Sequence, residues 1–143
     1  MPPLRIGDWR NAFVGKSKTM NEIDLQKKIM TRRIKKNQKE DTEDIIQLPP
    51  SLIHFFFASH IKGELFPTMS VTQIDNMIKR AMPDKKATPH YWRSYYTVNV
   101  LSKMTSEADI NEALRVMDHS LNTNSKYYNK QATSAYNKLL AGK

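Results

Sequence analysis

Two adjacent prolines, Pro49 and Pro50, divide the pattern of this chain, because a residue with no backbone N–H and a fixed φ ends a strand and opens a helix. Before them the apolar residues form short runs. Asp44-Ile45-Ile46-Gln47-Leu48 predicts a strand stopped by the prolines, and Ile23, Leu25, Ile29, Met30, Thr31 and Ile34 give strand-like signals upstream. Two strands joined near Asn37 to Asp41 are expected. A helix over residues 21–36 stays open as an alternative, since lysine and glutamine are good helix formers.

Beyond Pro50 the signals are helical. A first helix, Ser51 to Ile61, carries Phe55, Phe56 and Phe57, is expected to be mostly buried, and ends near Lys62-Gly63. Ser70 with Gln73 forms a capping-box pattern ahead of Val71, Ile74, Met77, Ile78 and Met82, which share one face, and Pro83 follows. Thr88 as cap and Pro89 at the first helical position open a third helix through Tyr91, Tyr95, Val98 and Leu101, with His90 and Arg93 in its first turn. Thr105 or Ser106 caps a fourth, with Ile110, Ala113, Leu114 and Met117 inward. Thr123 is the cap candidate for a fifth that contains Tyr127, Tyr128, Tyr136 and Leu139. The expected fold is mainly α with a small antiparallel β-hairpin or sheet, an α+β domain. A chain of 143 residues without a Pro/Gly-rich linker fits one domain.

The formal charge of +9 suits a polyanion, because clustered Lys and Arg gain affinity by releasing counterions from nucleic-acid phosphates. Most of it lies early. Lys16, Lys18, Lys27, Lys28, Arg32, Arg33, Lys35, Lys36 and Lys39 are opposed between positions 16 and 39 only by Glu22 and Asp24. The absence of cysteine excludes disulfides, thiolate zinc sites and cysteine nucleophiles. The longest apolar run, Leu52 to Ala58, is too short to span a bilayer, and no signal-peptide core opens the chain. An intracellular protein is expected, with nucleic acid as the leading partner and an anionic membrane surface trailing.

Residue types suited to phosphate chemistry recur in a fixed order. Thr88-Pro89-His90-Tyr91-Trp92-Arg93 sets a histidine and an arginine at a helix start, where free N–H groups and the helix dipole favour a bound phosphate. A second histidine, His119, lies nine residues before Tyr128, whose hydroxyl is a candidate nucleophile. Arg5 opens the chain, and the lysine-rich stretch reaches Lys36. Each block also has a plain reading: a solvated arginine, a solvated lysine face, a capped helix start, packed tyrosines. His54 and His60, on the aromatic helix, are taken as core or surface residues, and Trp9 and Trp92 as packing.

In this order the blocks resemble the catalytic domain of the tyrosine recombinase (phage integrase) family over about residues 3 to 139. Leu4-Arg5-Ile6-Gly7-Asp8-Trp9 is similar to the family's opening arginine with an acid three residues on. Lys36, followed by Asn37, resembles the hairpin lysine, with Lys35 as the alternative. Thr88 to Arg93 resembles the Thr-Pro-His-x-x-Arg box, and Met117-Asp118-His119-Ser120 with Tyr128 resembles Leu-Gly-His-Ser followed nine residues later by tyrosine. Asp118 stands where that family has glycine, adding an acid near the phosphate, and Tyr127 beside Tyr128 leaves the nucleophile ambiguous.

The resemblance implies metal-independent cleavage and rejoining of DNA, with Tyr128 forming a 3′-phosphotyrosyl link. Arg5 and Arg93 are implied as phosphate ligands, His119 as a further hydrogen-bond donor, Lys36 as the acid at the leaving 5′-oxygen, and His90 as base or positioning group. It also implies recombination by a homo-oligomer, a tetramer on double-stranded DNA, with no cofactor and no membrane, in the cytoplasm or nucleus of the host cell of a virus or another mobile element. Residues 1–143 are expected as a single catalytic domain that begins at the first arginine, with the family's N-terminal DNA-clamping domain absent. The alternatives are a type IB topoisomerase-like enzyme, which shares this resemblance, and a catalytically silent DNA-binding remnant.

Overall fold

The computed structural model describes residues 1–34, 43–82, 84, 88–118 and 133–142. Lys36, His119, Ser120, Tyr127 and Tyr128 lie outside the described residues, as does the Thr123 cap. The described elements run α1 (Ile6–Arg10), β1 (Ala12–Val14), β2 (Asn21–Asp24), β3 (Ile29–Arg32), β4 (Asp44–Gln47), α2 (Pro50–Ala58), β5 (Gly63–Glu64), α3 (Val71–Ala81), α4 (Pro89–Asn99), a 3₁₀ turn (Leu101–Lys103), α5 (Glu107–Met117) and α6 (Ser134–Ala141).

Among the described residues the strands form one five-stranded sheet in the order β4-β3-β2-β1-β5. It is larger than the expected hairpin. The β3–β4 hairpin is there, with the two strands antiparallel, and over the described residues 21–34 strands β2 and β3 stand where the alternative helix would have been. The sheet is not wholly antiparallel: β1 pairs β2 in parallel, with Val14 opposite Ile23. Short runs such as Ala12–Val14 and Gly63–Glu64 hold only two or three ladder residues, too few for alternation to stand out in a sequence.

Side-chain alternation sorts the sheet's inner face into two rows. Val14, Ile23, Met30 and Ile46 stand opposite one another across four strands and are buried. They form a core with Leu4, Ile53, Phe56 and Val116. Two residues along each strand, on the same face, lie Ala12, Asn21, Arg32 and Asp44, also buried. This second row is mostly polar. It underlies the candidate site.

The helices follow their expected starts. Ser70 and Gln73 make the reciprocal capping box on α3, Thr88 Oγ1 accepts the Tyr91 N–H at 3.1 Å on α4, and Ser106, rather than Thr105, caps α5. Ile110, Ala113, Leu114 and Met117 point inward as expected, and with Leu101 and Tyr136 most of them form a second core. Thr133 pins the start of α6 to the 3₁₀ turn, its N–H donating to Ser102 O at 2.8 Å.

One expectation about burial is corrected. Helix α2 buries only Ile53 and Phe56 and exposes His54, Phe55 and Phe57, because one face alone of this short helix meets the sheet. On α4 the buried residues are Arg93 and Thr97, whereas Tyr91 and Tyr95 are exposed and pack with Trp92 into an aromatic cluster. Tyr91 and Tyr95 face solvent since the inner face of α4 serves a charged site, whereas Val98 is half-buried and Leu101, in the 3₁₀ turn beyond, is buried. Val71, at the start of the shared apolar face of α3, is exposed, while Ile74 on that face is buried.

Candidate functional site

The site begins at the C-terminal end of α5, where the last carbonyls of a helix lack intrahelical donors and carry the negative end of its dipole. Three guanidinium groups converge there. Arg32 Nη2 donates to Arg115 O at 2.6 Å and Nη1 to Val116 O at 2.7 Å, and Arg93 Nη2 donates to Met117 O at 2.5 Å. Arg5 Nη2 pairs with the next residue, Asp118, at 3.0 Å from Oδ2. Residues far apart in sequence, 5, 32 and 93, thus meet on one helix end.

Each arginine is positioned by its own element. Arg5 caps α1, and Asp8 in the first turn reaches back to it, accepting from Arg5 N at 3.1 Å and pairing with Nη2 at 3.2 Å. The Arg-x-x-Asp spacing is a capping-box spacing, which locks the arginine to its helix. Arg32 stands on β3 directly opposite Asp44 on β4 and pairs with it at 2.9 Å, while Nη1 lies 3.4 Å from Asp8. Arg93, on the inner face of α4, also donates through Nη1 to Pro3 O at 2.8 Å.

Asn21 ties the site to the hairpin connection that carries Lys36. Its Nδ2 donates to Asp8 O at 3.1 Å, and its Oδ1 accepts from Arg33 N at 2.8 Å and Ile34 N at 2.9 Å. The chain leaving β3 at Arg33 and Ile34 is therefore fixed to the backbone of α1 at Asp8.

Burial dominates the electrostatics. Asp8 is fully buried, which pushes its carboxyl above the ordinary carboxylate value, while Arg32 and then Arg5 pull it back. Arg93 is 7% exposed, and burial lowers its guanidinium to about 10; Asp8 opposes that shift and Arg5 adds to it. Arg5, Arg32 and Arg93 are matched by Asp8, Asp44 and Asp118, so the cluster approaches neutrality inside a strongly basic chain.

Of the sequence-predicted residues, Arg5 and Arg93 are brought together at the end of α5. His90 lies on the same helix start as Arg93 but is exposed, and its carbonyl accepts from Ser94 Oγ at 3.1 Å. Lys36, His119 and Tyr128 are outside the described residues, though the peptide bond after Asp118 leads to His119. Arg32, Asp44 and Asn21 were not predicted as site residues. A signal existed for Arg32: it follows Met30 by two on a strand, so a charge falls on the buried face. Among the described residues no group of three or more His, Cys, Asp or Glu could hold a metal ion, and no helix is long and apolar enough to cross a membrane.

No family model matches the sequence, and no curated protein matches it. The fold is similar to that in the crystal structure of XerA recombinase, with a TM-score of 0.62 and 18% identity, over 99% of this chain. This chain spans 52% of that one, so it corresponds to about half of its length. At this identity the likeness is one of fold: an α+β domain with a small sheet.

Proposed function

We propose that this chain is a DNA strand-cutting and rejoining domain of the tyrosine recombinase kind, acting on a backbone phosphate held near the end of α5. The observation that carries the proposal is the meeting of Arg5 and Arg93, eighty-eight positions apart, at Met117 and Asp118, one peptide bond before His119. Support comes from the fold likeness over nearly the whole chain and from the net charge of +9.

In the proposed reaction Tyr128 Oη attacks the phosphorus, forming the tyrosyl ester and expelling the 5′-oxygen, which takes a proton from Lys36. Rejoining runs the same steps backwards, so the phosphodiester is conserved without metal. Arg5 and Arg93 neutralise charge on the non-bridging oxygens, as guanidinium groups suit phosphate geometry. His119 donates a further hydrogen bond, and His90, at the α4 N-terminus, accepts the tyrosine proton or positions the phosphate. Buried Asp8 holds Arg5 in place.

A second reading, a DNA-binding domain that does not cut, is favoured by the carboxylates already paired with Arg5 and by the carbonyls that take both terminal nitrogens of Arg93. One experiment separates the two. Nicked duplexes carrying candidate sites are incubated with the chain and run on a denaturing gel with wild type, Tyr128→Phe and Tyr127→Phe. A covalent adduct lost only in Tyr128→Phe is expected. An adduct that survives in Tyr128→Phe refutes the nucleophile, and salt-sensitive binding with no adduct on any site supports the silent domain.

A further inference from the structure

Asp118 has a backbone few residues adopt without cause. It closes α5 in the left-handed region, φ 52 and ψ 43, where glycine is the usual occupant and a side chain is strained. The residue is nevertheless 1% exposed and directs Oδ2 onto Arg5 Nη2 at 3.0 Å. That same nitrogen already serves Asp8. Meanwhile Arg5 Nε is buried and has no hydrogen-bond partner among the described residues. The guanidinium therefore carries two carboxylates on one nitrogen and an unused donor beside them. A buried N–H without an acceptor is a place for an acceptor that the protein itself does not supply.

We infer that Asp118 is an internal stand-in for the phosphodiester at Arg5, a carboxylate that DNA phosphate must displace, and that it sets the affinity of this site for DNA. The inference rests on the proposed role of Arg5 as a phosphate ligand. Physically, a carboxylate and a phosphate compete for the same charge-assisted donors. The unsatisfied Nε and the Nη2 freed from Asp118 together offer the paired N–H edge that grips two phosphate oxygens. With Asp118 in place, an incoming phosphate meets a negative charge within a few ångströms in a poorly screened setting. With it neutralised, Arg5 keeps Asp8 as its support and gains a free edge.

The test is the affinity of a short fluorescent DNA duplex, followed by anisotropy at fixed salt, for wild type, Asp118→Asn, Asp118→Gly, Arg5→Ala and the Arg5→Ala/Asp118→Asn double variant. Asparagine and glycine both suit the left-handed position, so the fold is retained, as urea midpoints verify. Each Asp118 variant should bind on the order of tenfold more tightly, the size of one nearby charge removed in a partly screened site. The gain should vanish in the double variant. A control, Asp109→Asn, removes one exposed charge from the same helix and should change affinity less than about twofold. If Arg5→Ala weakens binding but Asp118→Asn does not tighten it, the stand-in role is wrong and the phosphate role of Arg5 stands. A gain that persists without Arg5, or that Asp109→Asn equals, also overturns it. If Arg5→Ala leaves affinity unchanged, the phosphate role of Arg5 fails and this inference with it. Loss of folding in both Asp118 variants makes Asp118 a structural partner of Arg5 only.

Discussion

Replacement of Arg32 by methionine is the severest single change the site offers. Arg32 is 0% exposed and donates to Asp44 through Nε at 3.3 Å and Nη2 at 2.9 Å, to Asp8 at 3.4 Å, and to the Val116 and Arg115 carbonyls at 2.7 and 2.6 Å. Methionine fills much of the volume but leaves two buried carboxylates short of a cation and two helix-end carbonyls short of a donor. Breaking a buried ion pair from one side costs about 3–5 kcal/mol, and an unsatisfied carbonyl about 1–3 kcal/mol more. Some relief comes from partners that stay: Arg115 remains 3.3 Å from Asp44, and Arg5 remains on Asp8. A loss of about 4 kcal/mol is expected, a large part of the roughly 5–15 kcal/mol that holds a domain folded. With a urea slope near 1.5 kcal/mol/M the midpoint falls by about 2–3 M, read by far-UV circular dichroism and tryptophan fluorescence. Adding Asp8→Asn and Asp44→Asn to Arg32→Met should recover about 2 kcal/mol, since buried amides cost less than unpaired charges. Arg33→Met, at a half-buried guanidinium that pairs with exposed Glu43 and donates to the Ser17 and Met20 carbonyls, should cost less, about 1–2 kcal/mol. A loss below about 1 kcal/mol for Arg32→Met, or no recovery in the triple variant, refutes the view that this guanidinium neutralises the cluster.

Two further changes probe the same region. Asn21→Ala removes the acceptor of two backbone N–H groups and the donor to Asp8 O, so stability should fall by about 2–3 kcal/mol and hydrogen exchange at the Arg33 and Ile34 amides should accelerate; unchanged exchange there contradicts its role as the hairpin's anchor. For Arg93, burial lowers the folded pKa to about 10. Below that pH the folded and unfolded chains both carry the proton and the burial penalty is full. Above it the folded chain sheds the proton first, so this group makes stability rise with pH while its charge for phosphate is lost. DNA affinity should therefore drop between about pH 8 and pH 10.5 by more in wild type than in Arg93→Ala, measured by anisotropy at constant salt; identical pH profiles contradict a phosphate contact by Arg93.

The helix starts were legible because their chemistry is local. Ser70 with Gln73, and Thr88 with Pro89, specify N-termini through groups within one turn, and the structure places the caps where the residues ask for them. The β3–β4 hairpin was legible too, from alternation ending at the prolines. Much of the rest of the sheet was not. A parallel pairing of β1 with β2 depends on which strands meet in space, and three residues carry no readable period. Spacing alone did not say which face of α4 turns inward: Tyr91 and Tyr95 are exposed, whereas the inner face holds Arg93 and Thr97. Apolar periodicity identifies the core face only where the core is apolar.

Arg5 and Arg93 were visible as residue types, but most of the pairings that hold the site's arginines were not. Asp8 was readable from its spacing, and it does pair with Arg5. Asp44 became a partner through strand register, and Asp118 through a left-handed turn that aims its side chain back at the chain's start. These acids change what the positive charge can do. A bare cluster of Arg5, Arg32 and Arg93 on a helix end would repel itself and could not be buried at neutral pH without acids close by. The acids make burial affordable, yet they also satisfy donors that a phosphate needs. On the proposed function, binding strength at this site is then set less by the number of arginines than by how readily one carboxylate gives way. Arg32, bound on every side and sealed from solvent, does not release its partners; Arg5, at 23% side-chain exposure and with an idle Nε, is the member of the cluster open to exchange.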